Sequence, residues 1–255
     1  IRRPPRSTQG VSSAASDVYK RQVIAAPHPV AIAASLAFGL FWARAGAPVH
    51  VGRPGAWFGL VLGAVVYPFA QVWLHGEAIG VVADLLTDPL GRVEGLEADT
   101  VMMIIVSVLT AYADEITKLA MLVSVMLVMG QPSDARAITA ASVAPTAGYA
   151  MIAALVVLSR SLGPVGSEHM LAYSFVQEWA WLGLQFGTAY LLARGWLTDR
   201  LIGYFIAAGI LHALALYVAT LQGIGWHPAV VTLLVVAIGL FAFSWGASMI
   251  PSGRR

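Results

Sequence analysis

The chain has 255 residues, of which 58% are hydrophobic and only 11% are charged. The charged share is less than half that of ordinary soluble domains, so the composition excludes a soluble globular fold. The net charge of +2 comes without a basic stripe, which argues against a nucleic-acid partner, and the absence of cysteine excludes disulfides and thiolate chemistry. Histidine, aspartate and glutamate remain as the candidate metal ligands.

Residues 1–22 are polar and basic, and they lack the apolar stretch and cleavage site of a targeting peptide. Within them, residues 12–22 resemble translated sequencing-adaptor sequence. We therefore expect this leader to be non-native; the alternative is a disordered basic tail that touches anionic lipid. Neither interpretation gives the leader a role in function.

Residues 23–252 are predicted to form one transmembrane domain of long, continuous apolar runs. A helical span needs about 20 apolar residues, and inside lipid only helices or closed barrels satisfy the backbone. A barrel would show short alternating segments instead, so we predict an all-α polytopic membrane bundle of about seven transmembrane helices. The predicted spans are residues 23–45, 55–73, 100–130, 135–158, 169–192, 201–221 and 228–250.

The third run is too long for a simple span. Its length of about 31 residues corresponds to roughly 46 Å of helix, whereas the hydrocarbon core is about 30 Å thick. We expect this helix to tilt, to extend beyond the bilayer or to break.

The arginines between the spans predict the orientation, because short cytoplasmic loops are enriched in Lys and Arg. Residues 1–22 aside, one side of the predicted bundle has seven arginines and the other has two, together with most of the loop carboxylates. The basic residues of the leader would lie on the second side, against this rule, which is a further reason to expect the leader to be non-native. The C-terminus is therefore predicted to be cytoplasmic. Short loops and the lack of an organellar signal favour a prokaryotic cytoplasmic membrane, and the sequence does not indicate an oligomeric state.

The strongest candidate site lies in the middle of the third run. Lys118 follows Asp114 by four residues and Glu115 by three, so the three side chains project from one side of a helix. Ionisable groups inside a span cost several kcal/mol unless they are paired or solvated, which makes them functional candidates. Two acids and one lysine leave a negative charge that a cation or a shared proton could balance. The alternative is a structural ion-pair cluster that fixes helix packing.

Glu178 and His212 lie at similar depths in the fifth and sixth spans. From the predicted outer face, Asp114, Glu178 and His212 are roughly 21, 15 and 15 Å deep. Two carboxylates and an imidazole in one layer predict a divalent-metal site, for which zinc is suitable. Taken singly, His212 is more often a packed core residue, and Glu178 could be a protonated carboxyl bonded to a neighbouring helix. The remaining histidines are at span ends or in loops and are not predicted to take part: His28, His50, His75, His169 and His227.

Three segments between about residues 100 and 223 carry a resemblance to a known family. The DEITK sequence at 114–118 resembles the EExxK helix of the PrsW-type intramembrane metalloproteases, which are distant relatives of the CAAX-processing proteases. The GYAM sequence at 148–151 resembles a remnant of the GFAxxE helix of that family, and LHAL at 211–214 resembles its late His-Ala helix. The first acid is Asp114 instead of Glu, and Ala153 stands where the family has a carboxylate.

The resemblance implies roles for the candidate residues. Glu115 would be the base that activates water, Asp114 and His212 would hold the metal, and Lys118 would orient or neutralise the acids. Glu178 would substitute as a ligand for the missing histidine of the fifth span. The expected function is a zinc-dependent intramembrane protease, or a diverged relative that has lost activity, with membrane-associated proteins as substrates. A proton- or cation-coupled transporter and a non-catalytic membrane scaffold remain the alternatives.

Overall fold

A computed structural model describes residues 27–45, 54–78, 81, 96–130, 132, 134–162 and 168–250, and this part of the chain contains helices and no strand. The all-helical prediction is confirmed there. The predicted leader and most of the acidic loop before the third run lie outside the described residues. The α-helices within the described residues are α1 (Pro29–Ala45), α2 (Pro54–Phe69), α3 (Leu96–Val128), α4 (Ala135–Ser161), α5 (Glu168–Leu197), α6 (Leu201–Thr220) and α7 (Pro228–Ser248).

Two of these helices continue into a different helical form. A π-helical segment, Ala70–Ala78, extends α2, and a 3₁₀ turn, Leu221–Ile224, extends α6. A π-helix has wider turns than an α-helix and commonly occurs at functional sites. The π-helical segment therefore changes the direction of the side chains at the end of the second apolar run.

Within the described residues, five helical segments are long and apolar enough to cross a membrane. They are Gly55–Gly76, Thr100–Val128, Ala135–Ser161, Leu201–Ile224 and Pro228–Ser248. The chain is thus an integral membrane helical bundle, whereas its seven spans remain a prediction. Helix α1 is apolar but has only 17 residues. Helix α5 is more polar, and residues 182–193 in its second half are buried by the other helices, so that they have no lipid to face.

Helix α3 shows how the over-long third run is folded. It continues without a break for 33 residues, which corresponds to about 50 Å. Of the three expected alternatives, a break is therefore wrong, whereas a tilt and an extension beyond the bilayer both remain open. The acidic pair accordingly lies within a regular α-helix.

Helices α2 and α4 pack closely through glycine. A Cβ on Gly63 would collide with the carbonyl oxygen of Pro145, and a Cβ on Gly148 would collide with that of Leu60. Small residues let helix backbones approach in this way inside a membrane. This contact brings Tyr149, the residue after Gly148, to the side of α4 that faces the end of α2.

Helix α5 lies at the centre of the bundle. Its Leu182, Phe186 and Tyr190 form a buried cluster with Trp42 of α1 and Phe243 of α7. The indole N–H of Trp42 also donates to the carbonyl oxygen of Trp179 at 2.7 Å. These contacts fix the rotation of α5 about its axis and hence the direction of each of its polar side chains.

Candidate functional site

The predicted polar face of α3 is buried. Asp114, Glu115 and Lys118 are 6%, 0% and 1% exposed. An unpaired charge at such a position is strongly destabilising, so each of these groups requires a partner of opposite charge or a strong hydrogen bond. The neighbouring helices supply these partners.

Glu115 joins α3 to α6. Its Oε1 atom accepts a hydrogen bond from Lys118 Nζ at 2.5 Å and lies 2.9 Å from His212 Nδ1. His212 is fully buried. The ring is also packed edge-on against Trp181 of α5, with 5.4 Å between the ring centroids. The structure therefore brings His212 to the acidic pair and holds its ring in one orientation.

Lys118 has a second partner on α5. Its Nζ donates to Thr188 Oγ1 at 2.7 Å, and the Thr188 hydroxyl donates to the carbonyl oxygen of Gln185 at 3.1 Å. The lysine thus neutralises Glu115 directly and is anchored to the central helix. This position suits a residue that orients Glu115 and not one that contacts a substrate.

Asp114 is contacted from three other elements. Tyr149 of α4 donates its hydroxyl to Oδ1 at 2.6 Å, and His75 Nε2 lies 3.1 Å from the same oxygen. His212 Nε2 lies 3.4 Å from Oδ2. The carboxylate is therefore surrounded by one hydroxyl and two imidazole nitrogens.

His75 and Tyr149 were not predicted as site residues. His75 stands in the π-helical segment that follows α2, and its Nδ1 lies 2.8 Å from Gln71 Nε2. From the sequence, His75 is only a histidine at the end of an apolar run, and the π-helical turn that directs it inward has no sequence signal that we recognise. Tyr149 was noted in the 148–151 segment but given no role, although a buried tyrosine hydroxyl needs a partner.

Three polar atoms of this cluster are buried without a hydrogen bond from the described residues: His75 Nε2, His212 Nε2 and Glu115 Oε2. If His212 is neutral and donates its Nδ1 hydrogen to Glu115, Nε2 carries a lone pair. That lone pair faces Asp114 Oδ2, another acceptor, at 3.4 Å. Two acceptors repel unless a proton or a cation lies between them.

The net charge of the cluster also requires a proton or a cation. Asp114, Glu115 and Lys118 sum to −1 when both histidines are neutral. A proton on a histidine or a bound cation would offset this charge in the apolar interior. The arrangement can therefore hold an exchangeable proton or a cation.

The metal prediction rests on donor chemistry and not on a preformed site. Imidazole nitrogens and a carboxylate are suitable zinc ligands. In the described part of the chain, however, no group of three His, Asp or Glu residues is arranged closely enough to hold a metal ion. The contacts of Asp114 with the two histidines are the nearest approach to such a group.

Glu178 is separate from the cluster. It is partly buried on α5, and no hydrogen bond or ion pair joins it to Asp114 or His212 within the described residues. Its neighbour Gln177 instead donates to Thr232 Oγ1 of α7 at 2.8 Å. The predicted ligand set of Asp114, His212 and Glu178 is thus not brought together, and Glu178 is the member left out.

Two further histidines lie at the starts of helices. His28 Nδ1 accepts from the backbone N–H of Val30, and His227 Nδ1 accepts from that of Ala229, each at 3.2 Å. Such contacts satisfy the free N–H groups of a helix start. His28 and His227 are therefore structural and outside the cluster.

No family model, no curated protein and no solved structure matches the chain. The resemblance to PrsW-type proteases consequently rests on the quoted segments alone.

Proposed function

We propose that the chain is a metal-dependent intramembrane protease of the PrsW type, or a diverged relative of that family that has lost activity. One observation carries the proposal: His212 contacts Glu115 through Nδ1 at 2.9 Å and faces Asp114 through Nε2 at 3.4 Å. A histidine that ligates a metal usually donates its other ring N–H to a carboxylate or carbonyl group. His212 has that arrangement, with Glu115 as the acceptor.

Asp114 and His212 would hold the metal, for which we propose zinc. A divalent cation at this point would polarise a substrate carbonyl group and make a water molecule acidic enough to act as a nucleophile. Glu115 has one buried oxygen, Oε2, that is free to accept the proton of that water. Lys118 keeps Glu115 ionised through its contact with Oε1. Tyr149 would orient Asp114 through its hydroxyl.

The outer surface of the bundle supports a location in the membrane, and we propose membrane-associated proteins as the substrates. Large apolar side chains are exposed on the outside of the bundle, such as Leu40, Trp73 and Ile202 at 69%, 68% and 77%. A surface of this kind is stable only against lipid or another apolar surface. The proposed location is the cytoplasmic membrane of a prokaryote, with the C-terminus on the cytoplasmic side.

The test is bound zinc per protomer in detergent-purified protein, with cleavage of candidate membrane proteins as a second measurement. We expect near-stoichiometric zinc in the wild type, loss of zinc in His212→Ala and retention in His227→Asn, which replaces a histidine remote from the cluster. Glu115→Gln should abolish cleavage. A folded wild type without zinc would overturn the active metalloprotease and leave the relative that has lost activity or the transporter, and cleavage that persists in Glu115→Gln would exclude Glu115 as the base.

A proton- or cation-coupled transporter is the second candidate. The observation in its favour is a series of polar contacts from His75, 12% exposed, through Asp114 and His212 to Glu115 and Lys118, which are 0% and 1% exposed. Intramembrane carboxylates and histidines often form proton relays. The transporter predicts ion-driven uptake into liposomes that disappears in Asp114→Asn, together with normal folding in the absence of zinc.

A further inference from the structure

We infer that His75, instead of Glu178, is the third protein ligand of the metal site. This inference rests on the proposed function, because it names a further ligand of the same site. It differs from the sequence-based expectation in both the residue and the helix that supply the ligand.

The first argument is position. His75 Nε2 lies 3.1 Å from Asp114 Oδ1, and His212 Nε2 lies 3.4 Å from Asp114 Oδ2. Two ring nitrogens from different helices thus reach the two oxygens of one carboxylate. Glu178 has no comparable contact within the described residues.

The second argument is the lack of a hydrogen bond at these close distances. Both Nε2 atoms are buried and neither is aligned for a hydrogen bond with Asp114. A buried nitrogen without a partner carries a free-energy penalty relative to one that is satisfied. Coordination of one cation by both nitrogens and by Asp114 would remove this penalty at two positions together. The two nitrogens lie beside different oxygens of Asp114, and in the described part of the chain no three such residues are arranged to hold a metal ion, so side-chain rotations must bring them to one cation.

The third argument is that His75 has an orienting group of its own. The Gln71 side-chain amide lies 2.8 Å from Nδ1. Its nitrogen and oxygen exchange places when the amide rotates by half a turn, so the amide can accept the Nδ1 hydrogen and leave the lone pair on Nε2. Gln71 would then act on His75 as Glu115 acts on His212. A fixed tautomer with a free nitrogen is what a metal ligand requires.

The π-helical segment explains how a residue at the end of a span reaches the site. Gln71 and His75 both belong to Ala70–Ala78, directly after the part of α2 that contains Pro68. The His75 side chain is also the most exposed of the cluster, at 12% against 9% for the Asp114 side chain and 0% for that of His212.

The experiment measures zinc in folded, detergent-purified His75→Ala, Glu178→Gln, His227→Asn and wild-type protein. We expect His75→Ala to lose about tenfold or more in zinc affinity, while Glu178→Gln and His227→Asn bind as the wild type does. Full zinc binding in His75→Ala would overturn the inference and leave the proposed function standing. Loss of zinc in Glu178→Gln but not in His75→Ala would restore the sequence-based ligand set. A folded wild type without zinc would overturn this inference together with the active metalloprotease.

A second variant distinguishes direct coordination of the metal by residue 75 from a structural role of His75. The chain contains no cysteine, so His75→Cys introduces its only thiol. A thiolate is a good ligand for zinc and for its spectroscopic substitute cobalt. We expect the cobalt-loaded variant to show a thiolate-to-cobalt charge-transfer band that is absent from the wild type and from His227→Cys. A folded His75→Cys variant that binds cobalt without this band would overturn the assignment of His75 as a ligand.

Discussion

His212 Nδ1 and Glu115 Oε1 are 2.9 Å apart and both side chains are fully buried. This contact connects α6 to α3 and determines which ring nitrogen of His212 faces Asp114. Because Glu115 is an acceptor, it favours the hydrogen on Nδ1 and the lone pair on Nε2. The chemistry proposed for the cluster depends on this orientation.

Replacing Lys118 tests whether the charges of the cluster are coupled. Lys118→Met should lower the free energy of unfolding by about 3–5 kcal/mol, because it leaves the buried Glu115 carboxylate without its cation. The measurement is thermal unfolding of the detergent-purified variant. The double variant Lys118→Met/Glu115→Gln should recover much of the loss, since it removes both charges. A double variant no more stable than the single one would contradict the pairing.

The hydrogen bond from Tyr149 to Asp114 predicts a smaller effect. Tyr149→Phe keeps the ring that packs edge-on against Tyr67, with 5.1 Å between the centroids, and removes only the hydroxyl. A hydrogen bond to a charged group contributes about 1.5–3 kcal/mol. The matched control is Tyr112→Phe, whose hydroxyl makes an exposed 3.3 Å bond to the carbonyl oxygen of Ile206. Equal thermal stability of the two variants would show that the Tyr149 hydroxyl is dispensable.

Much of this cluster followed from helix geometry and depth. The spacing of Lys118 from Asp114 by four residues and from Glu115 by three predicts that the three side chains share one face, and all three are buried in the structure. Depth along a span indicates which residues lie at one level of the membrane, and His212 indeed reaches the acids. Depth does not determine the direction in which a side chain points. Glu178 was assigned by its depth and by the resemblance, and no hydrogen bond or ion pair joins it to Asp114 within the described residues.

His75 shows a different limit of sequence reasoning. Its position near the end of an apolar run is typical of an interfacial histidine. An α-helical projection of the second run cannot place it, because the chain leaves α-helical geometry at Ala70. The partner that could have indicated a role is Gln71, four residues earlier, but an isolated Gln–His pair is a weak signal. The packing of α2 against α3 and α4 in three dimensions determines that His75 lies beside Asp114.

The close contact between α2 and α4 predicts a strong effect of glycine substitution. Gly148→Ala should destabilise the protein by about 1–3 kcal/mol, because the new Cβ collides with the backbone of Leu60 and the helices must separate. Gly203→Ala is the matched control, since a Cβ there meets no atom within 4 Å. Thermal unfolding of both variants in one detergent is the measurement. A loss of stability in Gly203→Ala as large as that in Gly148→Ala would contradict the assigned contact.

Metal removal distinguishes the two candidate functions without the need for a substrate. A ligand that binds only the folded state stabilises it in proportion to the logarithm of its concentration over Kd, by about 2.7 kcal/mol at one hundred times Kd. A chelator should therefore lower the Tm of the wild type and of His227→Asn, and added zinc should restore it. The same treatment should leave the Tm of His212→Ala unchanged, because that variant has no site to empty. A wild-type Tm that does not respond to the chelator would instead favour a proton as the charge that offsets Asp114 and Glu115, and with it the transporter.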